Sequence, residues 1–207
     1  MTHVLVTGFG PFENVCINAS GVVAQRVASE RESHRVDPAT VGESETGHLA
    51  WLRDGRARPS EWRVKGLELP TAYGRARELA SQAAREFGCR AVVALGVWRG
   101  HDVRVERRAS GIVTSERRDA RGEIWNGFSL GGDQVSRVDV AALADAIGAR
   151  VSEDCGGYVC NATYQALLSA TDKPTVFLHI PRDVGASGLA ATEAVVRKAI
   201  AFMAQLT

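Results

Sequence analysis

Arg90-Ala91-Val92-Val93-Ala94-Leu95-Gly96 is an unbroken apolar run of strand length, rich in β-branched residues. A run with no polar residue at alternate positions reads as a strand buried on both faces, the state of a parallel sheet covered by helices. Two further runs share this character. Val4-Leu5-Val6-Thr7 lies near the start, and Thr175-Val176-Phe177-Leu178-His179-Ile180 is cut off by Pro181. Amphipathic stretches fall between them. Asn18 and Ser20 cap a helix running to about Ser29, Trp62 to Leu69 reads as a strand, and Thr71 to Phe87 reads as a helix. Val138 to Gly148, Cys160 to about Ala170, and Ser187 to Leu206 carry further helical patterns. Strands alternating with helices predict the α/β class. The segment from Val103 to Thr114 alternates more and predicts an outer hairpin, and 118–133 is glycine-rich and irregular. Residues 30–63 are polar and charge-mixed and contain Pro38 and Pro59, so they read as an insertion within one domain spanning 1–207.

Composition narrows the partners. Of the 207 residues 45% are apolar and 24% charged, as in ordinary globular proteins. Lysine plus arginine (25) balances aspartate plus glutamate (24), which gives no reason to expect nucleic acid or an anionic membrane. The local cluster Arg104, Arg107, Arg108, Arg117, Arg118 and Arg121 is interleaved with Glu106, Glu116 and Asp119, and reads as a solvated loop surface. No apolar run approaches the roughly 20 residues of a membrane span. The first residues lack a basic region followed by a long apolar one, so a cytoplasmic location is expected. Cys16, Cys89, Cys155 and Cys160 show no CxxC spacing; they are expected as thiols without metal.

Cys160 lies in Gly156-Gly157-Tyr158-Val159-Cys160-Asn161, at the predicted start of a helix. A helix N-terminus favours a thiolate through its partial positive charge and its unpaired amides, which also suit an oxyanion. Packing as a small apolar residue is the plainer reading of the same cysteine. Cys89 reads as packing, and Cys155 either as packing or as a thiol that resolves an oxidised Cys160. His179 ends an apolar strand, where ligand sites of open α/β sheets lie. Together, Cys160 and His179 form a candidate nucleophile and base. Such a pair needs a third group to orient the imidazole. Glu106 is a candidate, with a surface ion pair to a neighbouring arginine as the alternative. A dinucleotide site at Gly8-Phe9-Gly10 is disfavoured, because the third glycine is missing and Pro11 removes an amide.

These segments resemble the pyroglutamyl-peptidase I (pyrrolidone-carboxylate peptidase) family of cysteine peptidases. The opening TGF-x-PF followed by N-P-S is matched by Thr7 to Phe12 and Asn18-Ala19-Ser20. The nucleophile segment G-T-[FY]-V-C-N is matched by Gly156 to Asn161, the histidine segment by Phe177 to Pro181, and E-R-V-A by Glu106-Arg107-Arg108-Ala109. The resemblance implies a three-layer α/β/α sandwich with a twisted, mostly parallel sheet and no metal or cofactor. It implies Cys160 as nucleophile, His179 as base and Glu106 as its orienting acid. Phe9, Phe12, Asn18, Val97 and Arg99 map to substrate contacts, with Phe9 and Phe12 on the lactam ring; both phenylalanines read equally well as core plugs. The implied substrate is a small peptide or amide with an N-terminal pyroglutamyl group, and the implied assembly a dimer or tetramer. The family's G-x-A-G-G-R after the central strand is replaced by Gly96-Val97-Trp98-Arg99-Gly100-His101. The alternatives are therefore a cysteine hydrolase acting on another small acyl amide or lactam, and an inactive relative that binds without cleaving.

Overall fold

The computed structural model describes residues 2–12, 15–29, 62–182 and 185–206. Nearly all of the polar insertion expected at 30–63 lies outside them. Among the described residues eight strands and five helices follow in the order β1 (Thr2–Phe9), α1 (Ala19–Ser29), β2 (Trp62–Leu69), α2 (Tyr73–Glu86), β3 (Ala91–Trp98), β4 (Arg104–Glu106) and β5 (Arg108–Ala109). Then come β6 (Gln134–Val135), α3 (Val140–Ile147), β7 (Arg150–Ser152), α4 (Val159–Ala170), β8 (Thr175–Pro181) and α5 (Ala186–Gln205). Six strands form one sheet in the order β2-β1-β3-β8-β4-β7. All neighbours run parallel except β4 and β8, which are antiparallel.

The apolar runs fill both faces of this sheet, as their lack of alternation requires. Val4, Val6, Val93, Leu95, Val176, Leu178 and Ile180 face one core with α1, α3 and α5. Leu5, Val92, Ala94 and Phe177 face the other with α2 and α4. The result is the three-layer α/β/α sandwich expected from the resemblance. On α2 the inward stripe is Tyr73, Ala76, Ala80, Ala83 and Ala84, so small side chains let α4 approach closely. The start of α3 falls two residues later than its apolar pattern suggests. Asp139 caps it, accepting from the amides of Ala141 (3.1 Å) and Ala142 (3.0 Å), and Gly148 ends it at φ 70°.

The outer hairpin expected over Val103 to Thr114 does not form. Its first half, β4, enters the main sheet between β8 and β7, and β7 is a strand that the sequence pattern did not predict. Its second half, β5, pairs instead with β6 in a separate two-stranded sheet. The reason is burial: Val105 has no exposure and packs beside Leu178 in the first core, which an outer hairpin does not provide.

Candidate active site

The carboxyl ends of β1, β3 and β8 meet the start of β4, because β4 runs the other way. A cavity of about 280 Å³ opens there, below the roughly 300–1,000 Å³ of drug-sized ligand sites and suited to a small group. Its lining includes Phe9, Phe12, Asn18, Val97, Glu106, Cys160 and His179.

β8 brings His179 to the rim. Alternation along the strand places it on the same face as Phe177, whose ring lies 5.0 Å from the imidazole. Across the antiparallel pair, Glu106 is opposite Phe177 and has no exposure to solvent. A buried carboxylate must be paired, and Oε1 of Glu106 lies 2.8 Å from Nδ1 of His179. An ionised carboxylate can only accept, so Nδ1 carries the proton and donates; Nε2 is left for Cys160. Burial alone would lower the imidazole's pKa. Hydrogen bonding to Cys160 and Glu106, and the charges of both, override it and push the imidazole up to about 9.

Cys160 is the second residue of α4 and is half-buried in the cavity wall. Tyr158 precedes the helix without capping it by its side chain, so the first-turn amides at Cys160 are left to whatever anion occupies the cavity. Gly96 lies in the strand beside His179, and its missing side chain makes room for the Cys160 sulfur. Two residues of α4 fix the geometry around the nucleophile. Asn161 forms a two-point clamp, its Oδ1 accepting from the Ser110 amide (2.7 Å) and its Nδ2 donating to the Ser110 carbonyl (3.0 Å). Tyr164 donates its hydroxyl to the Glu106 carbonyl at 3.0 Å, which holds β4 in place behind the carboxylate.

A second thiol lies beneath the pair. Ligand atoms of Cys155, Glu106 and His179 all fall within 4.8 Å of one another. Cys155 is only 3% exposed, and burial first, then the charges of Glu106, Cys160 and Asp154, push its thiol well above the ordinary range. Its thiolate is therefore disfavoured; Cys155 also borders the cavity but is buried, whereas Cys160 is only half-buried there.

The structure thus brings Cys160, His179 and Glu106 together, with Phe9, Phe12, Asn18 and Val97 on the walls. Arg99 is exposed and does not line the cavity. Phe9 is at once core and wall, at 3% exposure. The polar atoms of Asn18 are committed to the loop: Nδ2 donates to the Gly10 carbonyl (3.0 Å), and Oδ1 accepts from the Ser20 amide and hydroxyl. Sequence reasoning missed Asn161, Tyr164 and the proximity of Cys155. Only the Cys-Asn pair at the helix start signalled any of these. It also placed Arg104 on a solvated loop, whereas the side chain lies on the cavity wall. Arg107 and Arg108 fit that reading, with ion pairs to Glu153 and Asp133 at the surface.

No protein-family model matches the chain. It is similar to a pyrrolidone-carboxylate peptidase from an Enterobacter species, at 27% identity over 195 residues covering 87% of this chain and 78% of that protein. A second pyrrolidone-carboxylate peptidase, from Gloeobacter violaceus, is 27% identical over 193 residues, covering 86% of this chain and 81% of its own. The fold matches pyroglutamyl peptidase I from Bacillus amyloliquefaciens with a TM-score of 0.77 at 17% identity, covering 100% of this chain and 96% of that one. The pyrrolidone carboxyl peptidase of Thermus thermophilus gives 0.71 at 24% identity, covering 96% and 98%.

Proposed function

We propose that this chain, a relative of the pyrrolidone-carboxylate peptidases, is a cysteine peptidase that removes an N-terminal pyroglutamyl group from peptides or amides. The observation that carries the reading is the buried 2.8 Å contact from Glu106 to Nδ1 of His179, with Cys160 at a helix start beside the same imidazole. The Cys160 thiolate attacks the amide carbonyl, forming a C–S bond and an oxyanion that the first-turn amides of α4 receive. Collapse breaks the C–N bond, and the imidazolium of His179 gives its Nε2 proton to the departing amine. Water, deprotonated by His179, then attacks the thioester; the second collapse releases pyroglutamate and restores the thiolate–imidazolium pair. Glu106 holds the tautomer and stabilises the imidazolium throughout, remaining ionised itself.

Phe9, Phe12 and Val97 supply a small apolar pocket for the lactam. A second reading, a cysteine hydrolase of another small acyl amide, is favoured by Val97 and Trp98 on the cavity wall, in the segment that departs from the family's G-x-A-G-G-R. The test is release of a chromogenic amine from a pyroglutamyl amide, run beside Cys160→Ala. Release that depends on Cys160 supports the proposal. Release that persists in Cys160→Ala ends it, and no release with rapid alkylation of Cys160 moves the substrate to another acyl group. Among the described residues no helix is long and apolar enough to cross a membrane. We place the enzyme in the cytoplasm, where its four free cysteines suit a reducing medium. A homo-oligomer is proposed as its working state, with the exposed Ile112, Ile124 and Phe128 as apolar surface for self-association.

A further inference from the structure

We infer that Arg104, stacked on Trp98, is a specificity residue that selects substrates whose leaving group carries a carboxylate. The inference rests on the direction of cleavage proposed above. In the β4–β8 register Arg104 stands directly opposite His179, and residues opposite each other in an antiparallel pair project to the same face. The guanidinium lies 3.4 Å from the centre of the Trp98 ring. Trp98 is itself fixed: its Nε1 donates to the Asp102 carbonyl at 2.8 Å, and the ring lies so close to Gly100 that any side chain there would overlap it. A cation–π contact uses the face of the guanidinium and leaves its edge N–H donors in the plane, the geometry that grips a carboxylate bidentately.

Among the described residues that edge meets no carboxylate. Of the two acids nearest in sequence, Asp102 pairs with Arg150 at 3.4 Å and Glu106 with His179 at 2.8 Å, and no ion pair to Arg104 forms among the described residues. Asp154, on the cavity wall, accepts from the Gly156 amide at 2.8 Å. A second guanidinium, Arg117, belongs to the opposite aromatic wall, 4.8 Å from the Tyr158 ring.

Strand order gives the orientation. Phe9 ends β1 and Arg104 starts β4, with β3 and β8 between them, so the two stand about 14 Å apart at ~4.8 Å per strand. The nucleophile lies between, against Gly96 of β3. An acyl group seated on Phe9 and Phe12 therefore sends its leaving amine over β8 and β4. His179 must protonate that amine, and Arg104 is its immediate neighbour. The carboxylate selected is either an acidic side chain on the first residue of the leaving group or the free α-carboxylate of a very short one.

The test measures kcat/KM for wild type, Arg104→Gln and Arg117→Gln on two matched pairs. These are pyroglutamyl-glutamate amide against pyroglutamyl-glutamine amide, and pyroglutamyl-alanine against its amide. Wild type is expected to prefer the acidic member of at least one pair by about tenfold, the scale of one charge-assisted contact at a part-exposed site. The first pair reports a side-chain carboxylate and the second an α-carboxylate. In Arg104→Gln the preference falls to within about twofold, and in Arg117→Gln it persists. Equal rates within both pairs in wild type, or a preference that survives Arg104→Gln, overturn the inference. Should no pyroglutamyl substrate be cleaved, the proposed acyl group is wrong, and Arg104 is judged by alkylation of Cys160. The rate ratio of iodoacetate to iodoacetamide falls in Arg104→Gln if the guanidinium draws carboxylates to the nucleophile. An unchanged ratio overturns it.

Discussion

Gly96→Ala places one methyl group where the structure has none to spare. A Cβ at this position would lie 2.8 Å from the Cys160 sulfur, and 2.7 and 2.9 Å from Cζ and Cε1 of Phe177. Ordinary contacts between such atoms are about 3.5–4.0 Å, so roughly 1 Å must be found on one side or the other. Phe177 cannot easily yield. It has no exposure, and Tyr164 and His179 hold its ring at centroid distances of 5.5 and 5.0 Å. The displacement therefore falls on Cys160, which borders the open cavity. Overpacking of this kind costs about 1–3 kcal/mol, which in a chain of this length lowers Tm by about 2–12 °C. A misplacement of about 1 Å at a nucleophile costs about 100-fold in rate. The assays are a thermal melt, amine release from a pyroglutamyl amide, and the second-order rate of Cys160 alkylation. The expected result is a modest loss of Tm with a large loss of both rates. A lowered Tm with wild-type rates would show that Phe177 moves instead and would refute the reasoning, as would no change at all.

Glu106→Gln keeps an acceptor for Nδ1 but removes the charge. Amine release is expected to fall by up to about 10⁴-fold, the scale for neutralising the carboxylate that orients a catalytic histidine, and a loss under about threefold would exclude Glu106 from the triad. The pH dependence follows from the raised imidazole. His179 must be protonated to release the amine, so the alkaline limb of the rate profile is expected near pH 9 in wild type and at lower pH in Glu106→Gln. The same proton stabilises the fold: with a folded value of about 9 against about 6.5 unfolded, the contribution is full below pH 6.5 and is lost as pH rises through 9. It amounts to at most roughly 3–4 kcal/mol, from ~1.4 kcal/mol per unit, so the stability gap between wild type and His179→Gln in urea should narrow over that window. Asp119 organises the loop under the aromatic wall, with Oδ2 accepting from the Tyr73 amide (2.9 Å) and Oδ1 from the amides of Arg121 (2.8 Å) and Glu123 (2.9 Å). Asp119→Ala orphans these amides at a buried site and is expected to cost about 2–4 kcal/mol by urea unfolding; less than 1 kcal/mol would mean that water replaces the carboxylate.

The parts of this fold that were legible in the sequence are those whose signal is local. Continuous apolar runs marked β1, β3 and β8 because burial on both faces leaves no alternation to confuse the pattern. Cys160 and His179 were legible because each sits at the end of such an element, and a sheet edge collects those ends. β4 and β7 were not, for a physical reason: at three residues each, neither is long enough to show a period. Arg104-Val105-Glu106 offers only one apolar residue to the core, and its place in the sheet depends on pairing with residues 46 to 75 positions away. Nothing in 104–106 announces that pairing. Cys155 was illegible for the same reason, since its nearness to Glu106 and His179 arises only once three separate elements converge.

The antiparallel insertion of β4 also accounts for the division of labour at the site. In a wholly parallel sheet every strand would present its last residue at the functional edge, and a carboxylate there would be wet. Because β4 enters at that edge and runs inward, its first residue stands at the rim and its third lies beneath. Arg104, opposite His179, is half-buried at the cavity wall, while Glu106, opposite Phe177, is fully buried. Two residues of one strand thereby experience different dielectrics. The buried carboxylate interacts strongly with the imidazole and stays unavailable to solvent, as an orienting group requires. The half-buried guanidinium at the rim is weakly coupled to the chemistry and remains open to a ligand. Exchanging the two, as in the double variant Arg104→Glu with Glu106→Arg, is expected to abolish amine release, because the charges alone do not carry the function without their depths.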